Sequence, residues 1–301
     1  MKNILLIVII LFVLSSCERE THIDIPPQAP KLVTESKQAQ NAFPVARVSR
    51  TRGVTDPLPQ GGQTDPYIVK NATVLLYEND ILEDTLKYNN STERYKASIA
   101  RIQPGKTYKL VLSAPNFPTA EAISFTPVFV PINNLVFNRN ARFDPDGNQQ
   151  DEVRISFIDN GSTEDYYLLH IFDANGDYLY CVNTNDKDVE KLVYDDPFYA
   201  DDCLISNRLL LSDLNFNGTT KTLIFYTESG SLDPQSTPGG TRRATVELLH
   251  INKDYYKYIK SLNNYENANG NPFAEPVNLY SNASNGYGLF TTYSMAIDSI
   301  R

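Results

Sequence analysis

The densest collection of groups that could do chemistry lies between Cys181 and Cys203. It holds Asp186, Asp188, Glu190, Asp195, Asp196, Asp201 and Asp202, with Tyr194, Phe198 and Tyr199 among them. Hard carboxylate oxygens at this density could hold Ca2+, and aromatic rings beside carboxylates could stack on a sugar. The spacing is not that of an EF-hand, which places its ligands at fixed offsets around a turn glycine. A solvated acidic loop is therefore the reading adopted, with Asp195, Asp196, Asp201 and Asp202 as its metal candidates. Asp144, Asp146, Asn148 and Asp151 form a second set, but Gly147 stands in the wrong place for an EF-hand, and a β-turn accounts for them better.

Other catalytic inventories are thin. His22, His170 and His250 are scattered over a linker and strand-like segments, and none belongs to a His-Glu-x-x-His zinc motif. There is no Gly-x-Ser-x-Gly elbow, and Gly286-Tyr287-Gly288 lacks the third glycine of a dinucleotide loop, since position 291 is Thr. Paired carboxylates arise by chance on an acidic chain, so pairs alone do not assign a glycosidase. No catalytic residue is assigned, and no cofactor is expected. Tyrosine is the compositional anomaly, with 19 Tyr and 14 Phe against no Trp. Tyrosine suits binding surfaces and is also a good strand residue.

Charge narrows the partners. Lys+Arg number 27 against 36 Asp+Glu, a net charge of −9. Such a surface repels phosphate backbones, and no basic stripe offsets it, so nucleic acid is not an expected partner.

The elements that would position these groups read as β. Val45–Ser49 alternates; Ala72–Tyr77 and Ile81–Leu86 flank Glu78-Asn79-Asp80 and predict a hairpin. Pro104-Gly105 turns the chain into Tyr108–Leu112, and Ala120–Phe125 offers a further strand. Beyond residues 127–134 come Val153–Ile158, Tyr166–Phe172, Thr222–Thr227, Ala244–Ile251 and a last strand over Phe290–Ile297. The period changes once: Tyr255, Tyr258, Ile259 and Leu262 stand at i, i+3, i+4 and i+7 behind a possible Asn252 cap, which predicts one amphipathic helix. The expected fold is mainly β, with two β-sandwich-type domains: residues 31–126, immunoglobulin-like, and residues 135–301, carrying the helix.

The N-terminal segment is of another kind. Met1-Lys2-Asn3 precedes the apolar run Ile4–Leu14, too short for a stable transmembrane helix, and Leu14-Ser15-Ser16-Cys17 closes it. This ending resembles the lipobox of bacterial lipoproteins. The resemblance implies that residues 1–16 are a signal peptide and that Cys17 becomes an acylated first residue and membrane anchor. The following residues 17–30, proline-rich at Pro26, Pro27 and Pro30, read as a tether. With Cys17 acylated, Cys181 and Cys203 remain, the pattern of one disulfide in an oxidising compartment; two unpaired buried thiols are the alternative.

With these pieces in place, the chain resembles the Bacteroidota lipoprotein family called domain of unknown function 4249. The likeness rests on Cys17 with Ile23-Asp24-Ile25-Pro26, on Asn71–Tyr77 and Pro104–Leu110, and on Pro276–Asn282 and Asn285–Phe290. It implies an outer-membrane, lipid-anchored protein on the periplasmic or cell-surface face, working beside a TonB-dependent transporter. The expected function is a non-enzymatic binding or accessory subunit. A structural or adhesive envelope protein is the alternative, and a glycan-active enzyme the third reading.

Overall fold

The computed structural model describes residues 29–53, 56–57, 65–179, 181–192, 204, 208–238, 240–268 and 275–300. In chain order the strands are β1 (Leu32–Ala39), β2 (Val45–Arg50), β3 (Thr73–Glu78), β4 (Ile81–Asn89), β5 (Arg94–Lys96), β6 (Thr107–Ser113) and β7 (Ala120–Phe125). There follow β8 (Asn134–Phe143), β9 (Gln149–Ile158), β10 (Tyr166–Phe172), β11 (Leu209–Ser212), β12 (Thr220–Glu228), β13 (Gln235–Thr237), β14 (Gly240–Arg242) and β15 (Thr245–Ile251). The helix α1 (Lys253–Ala268) precedes β16 (Ala283–Ser284) and β17 (Tyr287–Ser299). The protein is mainly β with one α-helix among the described residues, as its periodicity predicts.

Local signals are met where they were read. The β3–β4 hairpin turns through Asn79 and Asp80, at φ 47° and 67°. Positive φ at both central residues is the requirement of a type I′ turn, which Asn and Asp tolerate. Asn252 caps α1, its side-chain oxygen accepting the Tyr255 N–H at 3.0 Å. The helix buries Tyr255, Ile259 and Asn263, a stripe at spacing i, i+4, i+8.

The two β-rich halves share a sheet instead of standing as separate sandwiches. Twelve strands run in the order β11-β10-β15-β17-β1-β2-β5-β4-β3-β6-β7-β16, and β12-β9-β8 form a second sheet. The join is β17. Its first half pairs parallel with β1, Tyr287 to Tyr293 against Val33 to Ala39, and its second half pairs antiparallel with β15. The sheet curls so that β7 returns to β17: the Ser124 hydroxyl oxygen accepts the Thr292 N–H at 2.8 Å, and the Thr126 hydroxyl donates to that of Thr292 at 2.8 Å.

Burial follows from this curl. One core lies inside the curled half, around Leu76, Tyr95, Tyr108, Leu110 and Phe290. A second fills the space between the β10/β15 region and β9/β12, with Phe157, Tyr167, Leu169, Leu223 and Phe225. A third lies under α1 on the opposite face, with Tyr166, Leu168, Leu249, Tyr255 and Ile259. Strand β10 is thus covered on both faces, which is why it reads Tyr166-Tyr167-Leu168-Leu169 without polar alternation.

Candidate functional site

A groove of about 670 Å3 opens between α1, the segment 277–281 and the outer faces of β1, β2 and β17. This lies within the roughly 300–1,000 Å3 usual for small-ligand clefts. The alternation of β1 turns Leu32, Thr34, Ser36 and Gln38 inward and leaves Val33, Glu35 and Lys37 on the other face, toward the groove. Four tyrosines line it: Tyr258 and Tyr265 from α1, Tyr280 from the segment before β16, and Tyr287 from β17. Tyr265 and Tyr287 are 41% and 48% exposed.

The walls are fixed by polar contacts. The Tyr280 hydroxyl donates to Asp254 Oδ1 at 2.5 Å, and its N–H donates to Ser261 Oγ at 2.8 Å, which ties residues 277–281 to α1. Burial, with the bond to Asp254, pushes the Tyr280 phenol up to about 12. Burial likewise raises the Tyr258 phenol, helped by Glu35 and Glu266. Both therefore keep their protons at neutral pH, that of Tyr280 being donated in the hydrogen bond to Asp254. Lys37 Nζ lies 5.4 Å from the Tyr258 ring centroid, and Lys31 Nζ 5.3 Å from that of Tyr287. Glu35 stands opposite Arg47 in the β1–β2 register, while the Arg47 guanidinium donates to Asp65.

A second constellation is buried at the junction of the two halves, beside a groove of about 410 Å3. Asp159 follows β9, Asp165 precedes β10, Asp213 follows β11, and all three bring carboxylate oxygens within 4.8 Å of one another. Protein donors meet each of them. Tyr167 OH and the Gly218 N–H donate to Asp159 at 2.6 and 2.8 Å, Thr163 Oγ1 donates to Asp165 at 2.9 Å, and the Asp165 N–H donates to Asp213 at 2.9 Å. His250 Nδ1 lies 2.8 Å from Val128 O, which can only accept, so this nitrogen carries a proton. Its Nε2 faces Asp165 Oδ1 at 3.0 Å, and that contact is a hydrogen bond only when a further proton lies between the two. Burial raises the Asp213 carboxyl above its ordinary value, against the bond from Asp165 N–H and with the charges of Asp159, Asp165 and Glu164. The cluster is a hydrogen-bonded knot that stitches β9, β10, β15 and the 127–128 connection together.

The acidic stretch between the cysteines is partly consumed by structure. The buried Lys221 ammonium pairs with Asp186 at 2.9 Å and with Asp188. Glu190 accepts hydrogen bonds from the Tyr256 hydroxyl and from Lys260. Asp195, Asp196, Asp201, Asp202 and Cys203 lie outside the described residues, as do Cys17 and His22. Val182, next to Cys181, exchanges backbone hydrogen bonds with Leu204 at 2.9 and 3.0 Å. The other tempting set resolves into turns and braces. Asp144 accepts the N–H groups of Asp146 and Asn148, and Asp151 accepts those of Asn140 and Gly230. His170 packs edge-on against Phe172 and Tyr178 and contacts Glu247 at 3.3 Å.

Neither the groove nor the knot is visible as a motif. The groove's residues come from five separate stretches, and the knot's carboxylates look like ordinary turn residues in sequence. The one signal for the knot was His250 inside the apolar run Leu248-Leu249-His250-Ile251.

Fold and site together define a mainly β protein with a tyrosine-lined surface cleft. The model of the family described as Domain of unknown function (DUF4249) matches residues 18–297, and the chain belongs to that family. A search of curated proteins finds no match. Among the described residues no helix is long and apolar enough to cross a membrane.

Proposed function

We propose that this protein is an outer-membrane lipoprotein, held by acyl chains on Cys17, whose tyrosine-lined groove captures a ligand for a TonB-dependent transporter. The observation that carries the reading is the groove itself, with four phenols around a cleft whose walls are tied in place before any ligand arrives. Pre-ordered walls spare a ligand the entropic cost of ordering them. The groove also lies close to the point where the tether enters the fold, since Lys31 contacts Tyr287 directly. Capture near an anchored end keeps the ligand close to the membrane surface.

The experiment is affinity purification of the full-length chain from solubilised envelopes after mild cross-linking. Recovery of a β-barrel transporter, lost in Cys17→Ser, is the expected result. Cys17→Ser should also take up no labelled palmitate. Recovery of abundant unrelated proteins alone, or acylation of the serine variant, would count against the reading.

A further inference from the structure

We infer that the groove takes a neutral oligosaccharide, its sugar rings resting on Tyr287 and Tyr265 and its hydroxyls bonded by Glu35 and Asn278. This deepens the capture reading and rests on it.

The groove carries charges of both signs and is committed to neither. Among the described residues Glu35 and Arg47 are the charged lining residues, opposite in sign and opposite each other on neighbouring strands, and Lys31 and Lys37 lie over the Tyr287 and Tyr258 rings. Arg47 is further occupied by Asp65. An anionic ligand would meet the Glu35 carboxylate and a cationic one the ammonium groups of Lys31 and Lys37 beside the tyrosine rings, whereas a neutral ligand is spared both repulsions.

Surface chemistry selects among neutral ligands. Tyrosine offers an apolar face and a polar tip, and Tyr265 and Tyr287 keep much of their surface open to solvent. Pyranose rings present the matching combination, an apolar face of C–H groups edged by hydroxyls. A purely hydrocarbon ligand would desolvate the side chains of Glu35, Asn278 and the tyrosine hydroxyls without returning hydrogen bonds, at a cost the contact area must first overcome. A free carboxylate and an amide beside aromatic rings instead supply acceptors and donors for hydroxyl groups.

The test is calorimetry on the full-length protein with hexaoses of glucose, xylose, mannose and galactose, alongside an oligouronide, a set of neutral tripeptides and a long-chain fatty acid. The expected result is saturable binding of at least one neutral hexaose, weakened about tenfold or more in Tyr287→Ala and in Tyr265→Ala, with the melting temperature of Tyr265→Ala unchanged. Tyr265 is on the outer part of α1, so its variant remains informative should Tyr287→Ala disturb β17. Hexaose binding that both variants leave intact would remove the ligand from this groove. Tyrosine-dependent binding of a tripeptide, the fatty acid or the oligouronide, with no hexaose bound, would overturn the sugar assignment and leave the capture reading standing. Binding of none of these probes would overturn the sugar assignment, while transporter recovery in the purification decides the accessory role separately.

Discussion

Gly288 of β17 lies so close to Thr34 of β1 that a Cβ added to it would stand 1.9 Å from the Thr34 carbonyl oxygen. Its φ of 105° is also a conformation that side chains rarely adopt. Gly286 is tight in the same way, its added Cβ falling 2.7 Å from Leu32 O. These two glycines let the last strand settle parallel to the first, and the groove floor depends on that pairing. Gly288→Ala is expected to cost about 3 kcal/mol or more, measured by urea unfolding. A variant as stable as the parent would mean that β1 and β17 do not pack as described.

Asp84 is a buried carboxylate that accepts the N–H groups of Ser98, Ile99 and Ala100 at 2.8, 2.7 and 3.1 Å. Burial pushes its carboxyl up, but these bonds prevail and hold it below the ordinary 3.8. A depressed native value means stability that is present above 3.8 and lost as pH falls through the lowered value. Asp84→Ala should lose about 3 kcal/mol at pH 7 by orphaning three donors, and its stability should fall less than the parent's on acidification. Parallel pH curves for the two proteins would refute the linkage.

Asp213 has the opposite sign. Its carboxyl is raised by burial and by the neighbouring acids, so its contribution to stability is full below 3.8 and is lost as pH rises through the raised value. Asp213→Asn keeps an oxygen for the Asp165 N–H and removes the charge. The variant should gain about 1 kcal/mol at pH 7, read as a rise in melting temperature, and gain nothing at pH 3. An equal gain at both pH values would show that charge is not the cause.

Lys221 is the cation on which part of the acidic stretch depends. Burial pushes the Asp188 carboxyl up, yet the bonds from Lys221 and Asn215 hold it below its ordinary value. Lys221→Met would leave two carboxylates facing each other without a counter-charge, at a cost of about 3–5 kcal/mol at pH 7. Acidification should recover part of that loss, because protonation relieves the repulsion. A loss under about 1 kcal/mol in guanidinium unfolding would show that the pair is solvated.

What the chain encodes locally was legible without coordinates. The Asn79-Asp80 hairpin and the Asn252-capped helix depend on a few consecutive residues whose backbone preferences and apolar period act over one or two turns. The membership of the family was legible too, in scattered short motifs whose purpose was not. Pairing of β17 with β1 joins residues at opposite ends of the chain, and a period of two says which face a residue takes but not which strand lies beside it. Only the curled sheet shows that Gly286 and Gly288 permit a close approach, or that Asn282 spans β7 and β17 by donating to Ile123 O and Phe290 O. The groove is a product of that long-range pairing, and the Asp159–Asp165–Asp213 knot is a product of the pairing of β10 with β11 and β15; each brings together residues that local sequence leaves far apart.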